Sequence, residues 1–319
     1  VIGFFLRRLL QALIVIIGVI LIVFIISRFI PGGEARAVLG PKGTPGNIAR
    51  FNHLNGFDKP ILVQFWNYLI GIPQLHLGFS YKLTQPVWTV ISSRLNRTIL
   101  LVGVSTIVAL IIAVPLGVLQ VIKRNKPSDY ALTGLSFVLY ATPAFLLGTL
   151  VIIWFCFDLG WFPVSPPSGQ PAYIIFTDPR AFVLPVVTLA ALTIASFSRY
   201  MRSSMLDALA EDYIRTARAK GASNRRVLYG HALRNALIPI ITLIGLSLPG
   251  IVSGAVITED VFNYPGMGLL TVQSATNADI PLVLGTTLVA TIATVAGSLL
   301  ADILYAIADP RIRFGGSSS

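Results

Sequence analysis

Six stretches of the chain are apolar for about 20 residues or more, the length a helix needs to cross a bilayer. They run roughly over 9–29, 98–122, 130–157, 181–200, 237–258 and 281–305. The first follows Arg7 and Arg8 and invites comparison with a secretory signal. Its run from Leu9 to Ile26 is too long for a signal core and lacks a small-x-small cleavage site, so it reads as a span. Pro31-Gly32-Gly33 marks its end, and the arginine pair reads as an orientation signal.

Polar residues between the runs are distributed unevenly. The 123–129 loop carries Lys123, Arg124 and Lys126, and the 202–236 loop carries Arg202, Arg215, Arg218, Lys220, Arg225, Arg226 and Arg234. The 159–180 loop has only Arg180, and the 259–280 loop has no basic residue. Basic residues favour the cytoplasmic side. With Arg7, Arg8, Arg311 and Arg313 added, both termini are expected in the cytoplasm. This divides the chain into a cytoplasmic N-terminus with span 1 (1–30), a large extracytoplasmic segment (31–97), a five-span core with an inner loop at 202–236 (98–305), and a cytoplasmic tail (306–319). Gly316-Ser317-Ser318-Ser319 reads as an appended linker and is set aside.

Composition supports this reading. Of 319 residues, 55% are hydrophobic and only 12% charged, about half the charge of a soluble domain. The mean hydropathy is +0.78. These values exclude a soluble globule and a disordered chain, and point to an all-α polytopic membrane protein. The net charge of +11 is then explained by loop arginines and lysines, with no need for a nucleic-acid partner. Cys156 is the only cysteine, so no intrachain disulfide framework exists.

Enzyme chemistry is sparse. His53, His76 and His231 are far apart, no metal-ligand spacing occurs, and no phosphate-cradling G-x-x-x-x-G-K-[ST] is present. Gly245-Leu246-Ser247-Leu248-Pro249 lacks the last glycine of a nucleophile elbow. The span middles hold no ionisable group; Arg28, Asp158, Arg199 and Asp302 sit near span ends. A proton-coupled carrier would need such a group, so energy is expected from another chain. A secondary transporter and a membrane-embedded enzyme are the rival classes.

The 202–236 loop is the most informative segment. Ser204 can cap a helix starting near Met205, with Leu206, Leu209, Tyr213 and Ala217 on one apolar face. Glu211 and Arg215 are spaced for an i,i+4 pair, and Asp212 also stands three residues before Arg215. Gly221 should stop this helix after Lys220, and Ser223 can cap a second one carrying Arg225 and Arg226. The small residues Ala217, Ala219, Gly221 and Ala222 leave a smooth joint that suits another protein's close approach better than lipid insertion.

Glu211-Asp212-Tyr213-Ile214-Arg215-Thr216-Ala217-Arg218-Ala219-Lys220-Gly221, followed by His231-Ala232-Leu233-Arg234-Asn235-Ala236-Leu237-Ile238-Pro239, resembles the cytoplasmic loop of ABC-importer permeases. More narrowly, it is similar to the first of the two membrane subunits of dipeptide/oligopeptide importers. The family's Glu-Ala-Ala-x-x-x-Gly pattern falls on Arg215-Thr216-Ala217 and Gly221, keeping only the last alanine and the glycine. The resemblance extends to Gly56-Phe57-Asp58-Lys59-Pro60, Gln64-Phe65-Trp66 and Leu77-Gly78-Phe79-Ser80 in the outer segment. It continues in Glu259-Asp260-Val261-Phe262-Asn263-Tyr264-Pro265-Gly266-Met267-Gly268, Asp279-Ile280-Pro281 and Asp309-Pro310-Arg311. His76 and Asn96 depart from the family's usual residues.

The resemblance implies a type I ABC importer permease in the bacterial cytoplasmic (inner) membrane. It implies a heterodimer with a second permease subunit, two ATPase subunits carrying ATP and Mg, an extracytoplasmic substrate-binding protein and a di- or oligopeptide substrate, with a nickel chelate, glutathione or haem as the alternative cargo that relatives import. No cofactor or metal is expected in this chain. Glu211, Asp212, Tyr213, Arg215, Thr216, Ala217, Arg218, Lys220 and Gly221 would then form the ATPase-coupling surface. Glu259, Asp260, Phe262, Pro265, Gly266, Gly268 and Asp279 would form an outer gate or binding-protein contact. Pro143, Pro185, Pro249 and Gly250, with Pro115 and Pro239, would kink helices along a solvated path, since freed carbonyls are tolerated beside a water-lined cavity.

Overall fold

The computed structural model describes residues 2–29, 33–40, 43–165, 179–253 and 255–308. Among these, five helices are long and apolar enough to cross a membrane, or six if one sharply bent pair counts as a single span. The chain divides into two compact units, 1–99 with 252–295, and 100–251 with 296–319.

The first unit begins with α1 (Ile2–Ser27), followed by the short helices α2 (Gly33–Leu39), α3 (Pro45–Asn55) and α4 (Ile61–Gly71). Thr44 caps α3 by accepting the Asn47 N–H at 3.3 Å, and Gly56 ends it in the left-handed conformation, φ 71°. A small antiparallel hairpin, β1 (Phe79–Ser80) and β2 (Gln85–Pro86), leads directly into α5 (Val87–Ile122). The predicted second span therefore starts eleven residues early. Its 36 residues extend about 54 Å at ~1.5 Å each, well beyond the hydrocarbon thickness.

The same unit contains α11 (Val256–Val261), α12 (Met267–Thr276) and the start of α13 (Ile280–Ala308). Its core gathers Ile20, Leu77, Val87, Ile91, Met267 and Leu282. Gly285 allows α13 to approach α5: a Cβ there would lie 2.9 Å from Ile91 Cδ1.

The second unit holds the remainder of α5, then α6 (Pro127–Ala141), α7 (Ala144–Ile152), α8 (Arg180–Ala210), α9 (Asp212–Ala219) and most of α10 (Leu233–Ser253). The predicted single span over 130–157 is two segments, Pro127–Ala141 and Ala144–Asp158, bent by 101°. The cause is local. Pro143 supplies no N–H, and Thr142 before it is extended at φ −76° and ψ 124°, so the helix cannot run through. By contrast Pro115 and Pro185 are carried inside α5 and α8.

Met201, Met205, Ile214, Val227, Ala236 and Ile240 form the core of this unit. Gly117 brings α5 against α8, since a Cβ there would lie 2.6 Å from Met201 Cβ and 2.9 Å from the Ser198 carbonyl. Arg202 of α8 grips Asp129 in the first turn of α6 with both forks, at 3.0 and 3.2 Å.

Candidate functional site

Two constellations carry the motifs, an elbow after α8 and a turn after α11. The elbow differs from the expected pair of short helices. No helix starts near Ser204, because α8 continues without a break to Ala210. The break comes at Glu211, extended at φ −69° and ψ 151°, where the next helix begins. This shifts the helical phase. Leu206 and Leu209 pack on the core as predicted, but the α9 anchor is Ile214, fully buried, while Tyr213 is exposed. Of the two acids placed for it, Arg215 pairs with Asp212 at 3.2 Å, since the break removes Glu211 from its turn.

The exit from α9 follows the expected chemistry. Gly221 takes φ +81°, the Gly221 N–H bonds to the Arg218 carbonyl at 2.9 Å, and the Ala222 N–H to Ala217 at 3.1 Å. This closes the helix with a left-handed cap that a side chain would strain. Ser223 then opens the next helix, its hydroxyl accepting the Arg226 N–H at 3.4 Å. That helix is not a short separate piece. It passes through a wide turn over Arg226–Ala232 and continues into α10.

The elbow is thus an eight-residue helix hinged at both ends and tied down mainly by Ile214. Asp212, Tyr213, Arg215, Thr216, Arg218, Lys220 and Gly221 are exposed around it, and Ala217 is half-buried.

The second constellation lies in the first unit. Of its predicted residues, Glu259, Phe262, Gly266, Gly268 and Asp279 are buried, Pro265 is half-buried and Asp260 is exposed. Glu259 is completely enclosed. The Met267 N–H donates to Thr98 Oγ1 at 2.7 Å, the Thr98 hydroxyl donates to Glu259 Oε1 at 2.8 Å, and the Leu269 N–H donates to Glu259 Oε2 at 3.0 Å. Burial raises the Glu259 carboxyl above the usual range, although these donors oppose the shift.

The glycines of the turn make room for this carboxylate. A Cβ at Gly266 would collide with the Glu259 carboxyl group, and one at Gly268 would lie 2.6 Å from Val256 Cα. The Tyr264 hydroxyl reaches the Arg97 carbonyl at 3.0 Å, and Arg94 donates to the Pro265 carbonyl at 3.2 Å. Asp279 opens α13, accepting the Leu282 N–H at 3.4 Å, and also accepts the Ser80 hydroxyl of the hairpin.

Of the predicted helix breakers, Pro143 separates α6 from α7 and Pro185 is buried within α8. Pro249 and Gly250 lie in α10, their surroundings outside the described residues. Sequence reasoning missed Thr98, Ile214 and the Asp129–Arg202 pair. Only Asp129 left a signal, as an acid in the first turn of a helix. No group of His, Cys, Asp or Glu able to hold a metal occurs among the described residues.

The comparisons identify the family. Residues 105–314 match the family described as binding-protein-dependent transport system inner membrane component, and residues 1–102 match its N-terminal companion. An oligopeptide transport system permease protein, AppB of Bacillus subtilis, is 39% identical over 314 residues, covering 98% of this chain and 99% of that one. A glutathione transport system permease protein, GsiC of Salmonella typhimurium, is 36% identical over 317 residues, covering 98% and 99%. The chain belongs to the ABC-transporter inner-membrane permeases of the oligopeptide/dipeptide family. It is a non-enzymatic, multi-pass inner-membrane subunit whose family carries no cofactor, with ATP bound on partner ATPases.

Proposed function

We propose that this chain imports di- and oligopeptides, driven by ATP hydrolysis on ATPase subunits that grip α9. The observation that carries this is the construction of α9. A short helix held by one buried side chain between a break at Glu211 and a left-handed glycine can transmit a push as a unit, while Tyr213, Arg218 and the Asp212–Arg215 pair stay exposed toward a partner. The basic character of the 202–236 loop supports a cytoplasmic position, where ATP is available.

In this reading the chain pairs with a second, homologous permease, two ATPases dock inside, and a binding protein delivers substrate outside. ATP binding draws the ATPases together and opens the path outward; product release returns it inward. The turn built on Glu259 shapes the outer gate or binding-protein face, where exposed Asp260 is the available contact. The proline breaks at Pro143, Pro185 and Pro249-Gly250 supply bends along the path. Peptide is favoured as cargo because AppB is named for oligopeptide transport. Glutathione, named for GsiC, is the second reading.

The test is uptake into proteoliposomes holding the whole complex. Uptake should require ATP and resist ionophores, and peptide mixtures should compete better than glutathione. Gly221→Pro, and separately Ala217→Trp, should abolish uptake and ATPase co-purification while the spans still insert. If both variants keep the ATPases bound, α9 is not the docking element.

A further inference from the structure

A cavity of about 310 Å³ opens in the first unit where α1 ends. Phe24 of α1, Arg28 in the turn just past its end, Glu34 of α2, Lys59, and Gln64 and Tyr68 of α4 contribute to its lining. None of them belongs to the elbow or to the turn around Glu259.

The polar side of the cavity is built around Arg28. Its Nη1 lies 3.4 Å from Glu34 Oε1, its Nη2 donates to Gln64 Oε1 at 2.5 Å, and its guanidinium lies 4.6 Å from the Phe24 ring centroid. Gln64 in turn donates to the Lys59 carbonyl at 2.6 Å. Lys59 forms no ion pair among the described residues, and Arg28 Nε and the Tyr68 hydroxyl are buried without a partner. Burial raises the Glu34 carboxyl from 4.5 to about 7 against the pull of Arg28, so near neutral pH its charge offsets the two cations only in part. The lining has a cationic surplus.

Its surroundings are apolar. The end of α1 exposes Ile22, Ile25 and Ile26, and the turn after it exposes Phe29 at 80%. Helix α4 packs Phe65 and Tyr68 against Phe24, yet turns Leu62, Trp66 and Ile70 outward at four-residue spacing. A tryptophan-bearing apolar stripe beside a span end belongs at the boundary between headgroups and acyl chains.

We propose that this cavity holds the headgroup of one glycerophospholipid, its phosphodiester on Arg28 and Lys59 and its acyl chains along the exposed apolar ends of α1 and α4. Phosphatidylglycerol and phosphatidylethanolamine share this chemistry; the second adds an ammonium that Glu34 can accept. The inference uses the membrane placement of α1 and not the identity of the cargo.

The experiment is native mass spectrometry of the purified complex, washed in detergent until bulk lipid is gone and reloaded separately with vesicles of each lipid. The wild type should retain one phospholipid at this site from at least one of the two. Lys59→Glu, and the double variant Arg28→Gln/Lys59→Gln, should lower that occupancy about tenfold, the loss expected for a charge-assisted contact. Arg50→Gln, on the exposed side of α3 and outside the lining, should not. If the double variant fails to assemble, Lys59→Glu decides alone, since Lys59 is exposed and unpaired.

An intact wild-type complex retaining neither lipid, unchanged occupancy in Lys59→Glu, or a bound peptide in place of lipid would overturn the proposal. The readout is mass, not uptake, so a failure of peptide transport leaves it standing and a failure here leaves the transport reading untouched.

Discussion

A buried carboxylate is costly unless donors surround it, and Glu259 has a donor on each oxygen, one a hydroxyl and one a backbone N–H. Thr98 passes the demand of the Met267 N–H on to Oε1, while the Leu269 N–H meets Oε2. The arrangement requires acceptors at both oxygens. Glu259→Gln would put an amide NH2 against one donor or the other, and an unmet pair of this kind costs about 1–3 kcal/mol. Thermal unfolding of the purified complex, followed by tryptophan fluorescence, should show a clear fall in midpoint for Glu259→Gln and no change for exposed Asp260→Asn. Equal midpoints would mean that the carboxylate does not organise the turn. The sequence motif marked both acids but could not separate their roles, because the partner that buries Glu259 lies 161 residues upstream at Thr98. Ile214 was hidden for a related reason: its burial depends on the break at Glu211, which no proline or glycine announces.

At the scale of elements, apolar run length placed the helices well, while their ends were set by contacts that hydropathy does not record. The second span begins at Val87 because a hairpin feeds it, and the third breaks at Thr142-Pro143 because the proline comes where the chain can turn. Packing between helices depends on single small residues. In α5, Gly103 has open space around its missing Cβ, whereas Gly117 has Met201 at 2.6 Å. Ala at position 117 must push α8 away or force Met201 out of its place in the core, at a cost of about 1–3 kcal/mol. Gly117→Ala should therefore lower the yield and the unfolding midpoint of the complex, with Gly103→Ala in the same helix unchanged or slightly stabilised. A matching loss in both variants would point to helix α5 itself and not to its contact with α8. The elbow depends on the same packing, since Met201 and Met205 belong to the core that seats Ile214.

For the whole molecule, the orientation in the membrane decides whether the elbow can meet an ATPase at all. The charge contrast between the short loops is large: seven basic residues in 202–236 against none in 259–280. The 31–97 segment also carries seven, yet at 67 residues it exceeds the loops for which the positive-inside bias holds, about 60 residues. It therefore casts little vote. The single cysteine makes the orientation measurable, because Cys156→Ser leaves a background without thiols. Asn47→Cys places a thiol on exposed α3, and Asn224→Cys places one on the exposed joint beside Gly221. A membrane-impermeant maleimide applied to cells with a permeabilised outer envelope and intact inner membrane should label position 47 and spare position 224 until the inner membrane is opened. The reverse pattern would put α9 on the side without ATP and end its assignment as the coupling helix, while leaving the fold and the family as they are. Labelling of both positions before opening would instead mean that the chain inserts in two orientations, a result the loop charges oppose. The two thiols lie in different compact units, so the experiment reads the side of each unit without assuming how one is placed against the other.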